Sequence, residues 1–295
     1  MTFDVSRIKE QYPFKSHFFD TGGLKLHYVD EGEGEPFFMV HGNPSWSFLY
    51  RGLIKHFSTK YRMVAPDHIG CGMSEKPQDD RYSFTLKSRI DDLEKLFDNL
   101  NFQKPVNLVV HDWGGPTGIG LAVRRPAMIK RLIIFNTAAF RLPSERAFPW
   151  PLWAFRNLSV ADYMNCALNL FSVITAKTST VKKMDEKVYY GFTGPYDSFE
   201  NRVAVSRFVQ DIPLSENDPS YKQLMEVEDG LQKFKNTPAL ICWGKKDFIF
   251  DLSFFREWKK HLPNAIYRNY DAGHYLLEDS LDEIIAEISK FLQNA

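Results

Sequence analysis

Val106-Asn107-Leu108-Val109-Val110-His111-Asp112-Trp113-Gly114-Gly115 is the stretch on which the fold turns. Its first five residues form a short run, apolar apart from Asn107, of the kind that suits a strand buried on both faces of a parallel sheet. A helical pattern follows the two glycines and runs to about Arg124, where Pro126 stops it. A strand that turns sharply into a helix has the form of a nucleophile elbow, which lifts one side chain above the C-terminal edge of a sheet. Asp112 stands where that side chain would be, and Gly114 supplies the small residue that the turn needs. Val110 occupies a position where Gly is common, which predicts a slightly looser elbow. Asp before a helix is also a common N-cap, so this stretch alone leaves both readings open.

Upstream, Ser16–Asp20, Leu24–Asp30 and Pro36–Val40 read as strands, with a hairpin turn at Thr21-Gly22-Gly23 between the first two. The third ends in the loop His41-Gly42-Asn43-Pro44, followed by helical patterning across Trp46–Phe57 and a short strand at Arg62–Ala65. Leu86, Ile90, Leu93, Leu96, Phe97 and Leu100 recur at three- and four-residue spacing and predict a helix over Tyr82–Leu100. Downstream, Arg131–Phe135, Pro238–Cys242 and Ala265–Tyr270 read as strands, and Glu283–Leu292 as a closing helix. This alternation predicts an α/β fold with a mostly parallel central sheet flanked by helices. From Thr137 to about Leu214 the alternation stops, and an aromatic-rich segment reads as several helices. The expected organisation is a core of residues 1–136 and 215–295 with an inserted helical cap over 137–214.

Two further strand ends carry chemistry. Trp243-Gly244-Lys245-Lys246-Asp247 follows the strand Pro238–Cys242, and Asp271-Ala272-Gly273-His274-Tyr275 follows the last strand. Nucleophile, acid and histidine, each past a strand end and in that order, make an arrangement similar to the α/β-hydrolase fold. Asp112 is then the expected nucleophile, Asp247 the acid that orients a histidine, and His274 the base. Backbone N–H groups of Trp113 and Asn43 are the expected oxyanion donors. The choice of Asp over Ser defines the reaction. A serine that displaced a leaving group from an sp³ carbon would become an ether, which does not hydrolyse. A carboxylate becomes an ester, which water activated by His274 can cleave at its carbonyl. Substitution at an alkyl carbon, or ring opening, is the chemistry expected.

Composition narrows the class. Lys+Arg and Asp+Glu are both 37 in a chain of 295 residues, so no basic surplus is available to release counterions from nucleic acid. Hydrophobic content of 44% with 25% charged residues fits a globular chain rather than a disordered one. Aromatic content of 15% suits either a Phe-rich core or an aromatic-lined cavity. Cys71, Cys166 and Cys242 are odd in number and widely spaced, giving no disulfide framework or zinc pattern. The N-terminus lacks the basic start and apolar run of a signal peptide, and no apolar stretch is long enough to span a membrane. A cytoplasmic protein without metal or cofactor is expected.

His41–Arg51 (HGNPSWSFLYR), Pro66–Pro77 (PDHIGCGMSEKP), Val110–Gly115 (VHDWGG), Trp243–Asp247 (WGKKD) and Asp271–Asp279 (DAGHYLLED) resemble the haloalkane dehalogenases over nearly the whole chain. The resemblance implies that the indole N–H of Trp113 and the side-chain amide of Asn43 hold the departing halide. It implies an apolar small-molecule substrate, and leaves open a homo-oligomer or a multienzyme assembly. With neutral Asn136 at the alternative acid position and Asp247 acidic, the pattern is similar to the third dehalogenase subfamily. The cap segments Asn136–Phe140 (NTAAF), Pro195–Ser198 (PYDS) and Arg207–Leu214 (RFVQDIPL) look like the β-lactone decarboxylases of bacterial long-chain olefin synthesis, which use similar residues on a cis-β-lactone.

Two other classes bear on the same pattern. An epoxide hydrolase would need two cap tyrosines to protonate the opening oxygen, with Tyr163, Tyr189, Tyr190 and Tyr196 as candidates. A non-catalytic binding protein would be expected to lack a triad member, and none is missing. His111 is expected to pack below the elbow, Asp67 and His68 to form a structural turn, and Arg202 and Arg207 to be solvated cap charges.

Overall fold

The computed structural model describes residues 3–294. Eight strands form one sheet: β1 (Ser16–Asp20), β2 (Lys25–Glu31), β3 (Glu35–Val40), β4 (Tyr61–Pro66), β5 (Val106–His111), β6 (Ile129–Phe135), β7 (Ala239–Gly244) and β8 (Ile266–Tyr270). Their order is β1-β2-β4-β3-β5-β6-β7-β8. The β1–β2 and β2–β4 pairs are antiparallel, and every later pair is parallel.

Alternating side chains feed two cores, one on each face of the sheet. Phe38, Val40, Leu108, Val110, Leu132, Ile134 and Ile241 pack on one face. Phe37, Met39, Val109, Ile133, Phe135, Leu240 and Cys242 pack on the other. Every residue of β5 is buried, as its run of apolar residues requires. Asn107 is tolerated there because its amide donates to Glu35 Oε1 at 2.8 Å and to the Pro36 carbonyl at 3.2 Å.

Two predicted helices differ in detail. The Tyr82–Leu100 pattern becomes a helix over Leu86–Asn99, because Thr85 is extended and its hydroxyl accepts the Ser88 N–H as an N-cap. Trp46–Phe57 splits into a 3₁₀ turn at Ser47–Tyr50 and an α-helix at Arg51–Phe57. Between β6 and β7 the regular structure is helical, with α-helices at Trp150–Asn157, Ser159–Leu168, Leu170–Thr178, Glu186–Thr193, Val203–Gln210 and Tyr221–Gly230. Among the described residues no helix is long and apolar enough to cross a membrane. The three cysteines are free and buried.

Candidate active site

The elbow is built by close backbone approach. Asp112 has φ of +51°, in the left-handed region that few residues with a Cβ adopt. Its backbone is held from both sides. Its N–H donates to the Asn136 carbonyl at 3.1 Å, and its carbonyl accepts from the Gly115 N–H at 2.9 Å and from the Thr137 hydroxyl. A Cβ on Gly114 would lie 1.9 Å from the Val40 carbonyl oxygen, and one on Gly42 would lie 2.0 Å from Asp112 Oδ1. Both positions require glycine. The expected looseness at Val110 is taken up elsewhere: a Cβ on Gly118 would lie 2.7 Å from Val110 Cγ1. The helix following the elbow surrenders a side chain where the strand has gained one, so helix and strand still pack closely.

Asp112, His274 and Asp247 converge from the ends of β5, β8 and β7, and all are buried. Asp112 Oδ1 accepts the Asn43 N–H at 2.6 Å, and the Trp113 N–H also donates to this carboxylate. His274 Nε2 stands 3.7 Å from Asp112 Oδ2, while His274 Nδ1 donates to Asp247 Oδ2 at 2.7 Å. The Asp247 carboxylate also accepts from the Asn136 side chain at 2.9 Å, and from the backbone of Ile249 at 2.7 Å and Phe250 at 3.1 Å. Four donors thus fix the acid. Burial raises the Asp112 carboxyl above its ordinary pKa, opposed by His274 and by the Trp113 and Asn43 N–H groups. Burial pulls His274 down, but the charges of Asp247 and Asp112 outweigh it and leave its pKa raised.

These residues open on a cavity of about 190 Å³. Its walls are mainly carbon, including Leu86, Phe140, Leu152, Phe155, Phe171, Ile174, Val209, Leu224 and Phe250. Polar groups are few: Asn43, Asp112, Trp113, Thr175, Ser179 and His274. The Trp113 indole N–H makes no hydrogen bond to another described residue, which leaves it for a ligand. Asn43 is more committed. Its Nδ2 donates to the Val205 carbonyl at 3.0 Å, on the helix Val203–Gln210, so only one of its amide hydrogens remains for a ligand.

The structure also places residues whose part the sequence did not show. His111 Nε2 donates to the His274 carbonyl at 2.9 Å, and the two rings lie 4.4 Å apart. Burial keeps His111 well below its ordinary pKa and therefore neutral. It braces the loop that carries His274 rather than simply filling space beneath the elbow. Asp67 accepts from His27 Nδ1, the Ser47 N–H and the Met73 N–H, tying the Pro66–Pro77 turn together. Arg202 and Arg207 are not solvated charges: Arg202 holds the carbonyls of Tyr196, Cys166 and Ala167, and Arg207 pairs with Asp79 and Asp162. No tyrosine lines the cavity among the described residues, so an opening epoxide would find no phenolic acid there.

An eight-stranded, mostly parallel sheet with a carboxylate at its elbow defines a class of enzyme. The chain belongs to the α/β-hydrolase fold family, whose family description matches residues 35–281, on the branch of the haloalkane dehalogenases and their β-lactone-cleaving relatives. It is 46% identical to a cis-3-alkyl-4-alkyloxetan-2-one decarboxylase of Shewanella oneidensis, over 95% of this chain and 89% of that one. It is 30% identical to a haloalkane dehalogenase of Mycolicibacterium paratuberculosis, over 96% of this chain and 94% of that one. The fold matches that of the haloalkane dehalogenase DatA from Agrobacterium tumefaciens C58 with a TM-score of 0.83 at 21% identity, over 95% of this chain and 97% of that one.

Proposed function

We propose that this enzyme decarboxylates cis-3,4-dialkyl β-lactones to cis-alkenes, with Asp112 as nucleophile. The observation that carries the reading is the cavity: a buried carboxylate, Asp112, opens on walls that are almost wholly hydrocarbon. Such a space suits a small strained ring bearing alkyl chains. The 46% identity to a relative named for this reaction, against 30% to a dehalogenase, supports the same order.

The chemistry balances without added water. Asp112 Oδ2 attacks the ring carbon that bears the lactone oxygen. The C–O bond of the ring breaks, and its electron pair stays on the departing carboxylate, which the Trp113 indole N–H stabilises. The alkyl ester on Asp112 then loses carbon dioxide. The electrons of the C–CO₂ bond form the alkene, and Asp112 leaves with the pair of its ester bond. Inversion in the first step followed by anti elimination in the second gives the cis-alkene. His274 and the two oxyanion N–H groups favour the return of Asp112 as a carboxylate. Asp247 holds the His274 ring by its Nδ1 proton.

Dehalogenation is the second reading, favoured by the indole N–H of Trp113, which has no partner among the described residues, on a residue that lines the same cavity as Asp112. In it the ester forms on displacement of halide, and water activated by His274 cleaves it. Two neutral donors in a dry cavity can hold an anion without neutralising the nucleophile. The discriminating experiment offers purified protein a cis-3,4-dialkyl-oxetan-2-one and a 1-bromoalkane, and measures alkene formation and bromide release. Alkene from the lactone far faster than bromide from the alkane is the expected result; the reverse ranking overturns it.

The proposal extends to organisation and surroundings. Residues 137–214 act as a cap that roofs the cavity, supported by the helices there that line it. Buried free thiols support a reducing, cytoplasmic compartment. Exposed Trp150, Trp153, Val160, Tyr163 and Leu168 on the first two of these helices support self-association or assembly with another enzyme.

A further inference from the structure

A buried arginine lies behind the site and takes no part in the chemistry above. Arg89, on the helix Leu86–Asn99, is 1% exposed. Its Nη1 pairs with Asp211 Oδ2 at 2.7 Å, and its Nε and Nη2 are buried without a hydrogen-bond partner among the described residues. Its guanidinium carbon lies 3.8 Å from the centre of the Phe208 ring and 5.1 Å from that of Trp113. The two rings meet edge to face at 5.5 Å. Asp211 also accepts the Ser220 hydroxyl at 2.6 Å.

The arrangement is costly as a tether. A buried ion pair recovers its desolvation only with full hydrogen bonding, and an apolar pair of similar volume is often as stable or more so. Here two guanidinium nitrogens stay unsatisfied. What an apolar pair would lack is a positive charge against the face of Trp113, the residue whose N–H meets the leaving anion. A cation inside the cavity would pair with Asp112 and blunt it. A cation behind the indole polarises the ring, so that its N–H becomes a stronger donor, and leaves Asp112 untouched. The Phe208 ring and the Asp211 carboxylate hold the guanidinium in that place.

We propose that Arg89 is a positioning residue that acts through Trp113, fixing the indole and strengthening its N–H toward the anion released in the first step. The inference rests on the role given to Trp113 above. It implies that the cost of losing Arg89 appears in the chemical step, where the anion develops, and less in the binding of a neutral substrate.

The test compares wild type, Arg89→Met, Arg89→Lys and the double variant Arg89→Met with Asp211→Asn, which removes both buried charges together. Each is assayed for kcat and KM on the dialkyl β-lactone and on the bromoalkane, alongside its thermal midpoint and circular dichroism. The expected result is a loss of at least ten-fold in kcat for Arg89→Met and for the double variant, with KM within about three-fold, and recovery of most of that loss in Arg89→Lys, which keeps the charge. A folded double variant with wild-type kcat would overturn the inference. So would an Arg89→Lys variant as impaired as Arg89→Met, which decides the matter even where the double variant does not fold. Wild-type protein inert on both substrates would overturn the proposed function, and this inference with it.

Discussion

Asn136 donates its side-chain amide to Asp247 Oδ2 at 2.9 Å, the same oxygen that receives His274 Nδ1. Its own Oδ1 accepts the Gly244 N–H at 2.7 Å. A neutral residue at the end of β6 thus feeds the carboxylate at the end of β7. Asn136→Asp would bring a second carboxylate against the first, and the two would compete for one proton. Turnover should fall, most steeply at the acid end of the pH profile where the shared proton neutralises the pair, as a pH series of kcat would show. Asn136→Ala would leave the buried Gly244 N–H unpaired and should cost about 1–3 kcal/mol of stability, read from thermal or urea unfolding.

Asp247→Asn keeps the shape but turns an acceptor into a group that can present an N–H to His274. The imidazole then favours the tautomer with its proton on Nε2, toward Asp112. In enzymes with a histidine base, losing this acid costs about 10⁴-fold in kcat. A loss of that order is expected in ester hydrolysis on a bromoalkane, with substrate binding nearly unchanged. Retained hydrolysis would assign the orienting role to another group.

The acid limb of ester hydrolysis should lie below the titration of His274 in the free protein. Burial lowers the His274 pKa, and the charges of Asp247 and Asp112 together carry it above the ordinary 6.5. Alkylation of Asp112 removes one of those charges, so the imidazole gives up its proton more readily in the ester. Water attack needs neutral His274 and is lost as pH falls through the pKa of the ester state. Proton NMR of His274 in the resting protein, set against single-turnover ester hydrolysis across pH, measures both. Coincident values would mean that Asp112 carries no charge beside His274 at rest.

Gly118→Ala should destabilise the elbow. The added Cβ would meet Val110 Cγ1 at 2.7 Å and Val40 Cγ2 at 3.3 Å. Overpacking of a filled core costs about 1–3 kcal/mol. Adding Val110→Ala to the same chain removes the clashing methyl groups and should recover most of the loss. Unfolding midpoints of the two single variants and the double variant decide it, with additive losses counting against the steric pairing.

The strand ends were legible because parallel strands are short apolar runs and the loops after them carry glycine. Asp112, Asp247 and His274 could therefore be placed at one edge from the sequence alone. The sheet order was not legible: β4 lies between β2 and β3, and nothing in a one-dimensional alternation encodes that crossover. Contacts between residues distant in sequence were hidden for the same reason. Gly118 reads as an ordinary helix glycine until Val110 is set against it. Asn43 reads as a free donor until the Val205 carbonyl, 162 residues away, takes its amide. His111 and Arg89 look like a buried histidine and a helix arginine, and only packing shows which groups they face.

A covalent ester on Asp112 is common to both proposed reactions and is the step on which the rest of the proposal depends. His274→Phe removes the group that completes turnover in the hydrolytic route while leaving Asp112 able to attack. Exposing this variant to a 1-bromoalkane that the wild type turns over, then digesting it and weighing the peptide that contains Asp112, tests the step directly. The expected result is that peptide heavier by the alkyl group from the bromoalkane, with the added mass on Asp112. An unmodified peptide, or a mass added to another residue, would contradict Asp112 as the nucleophile.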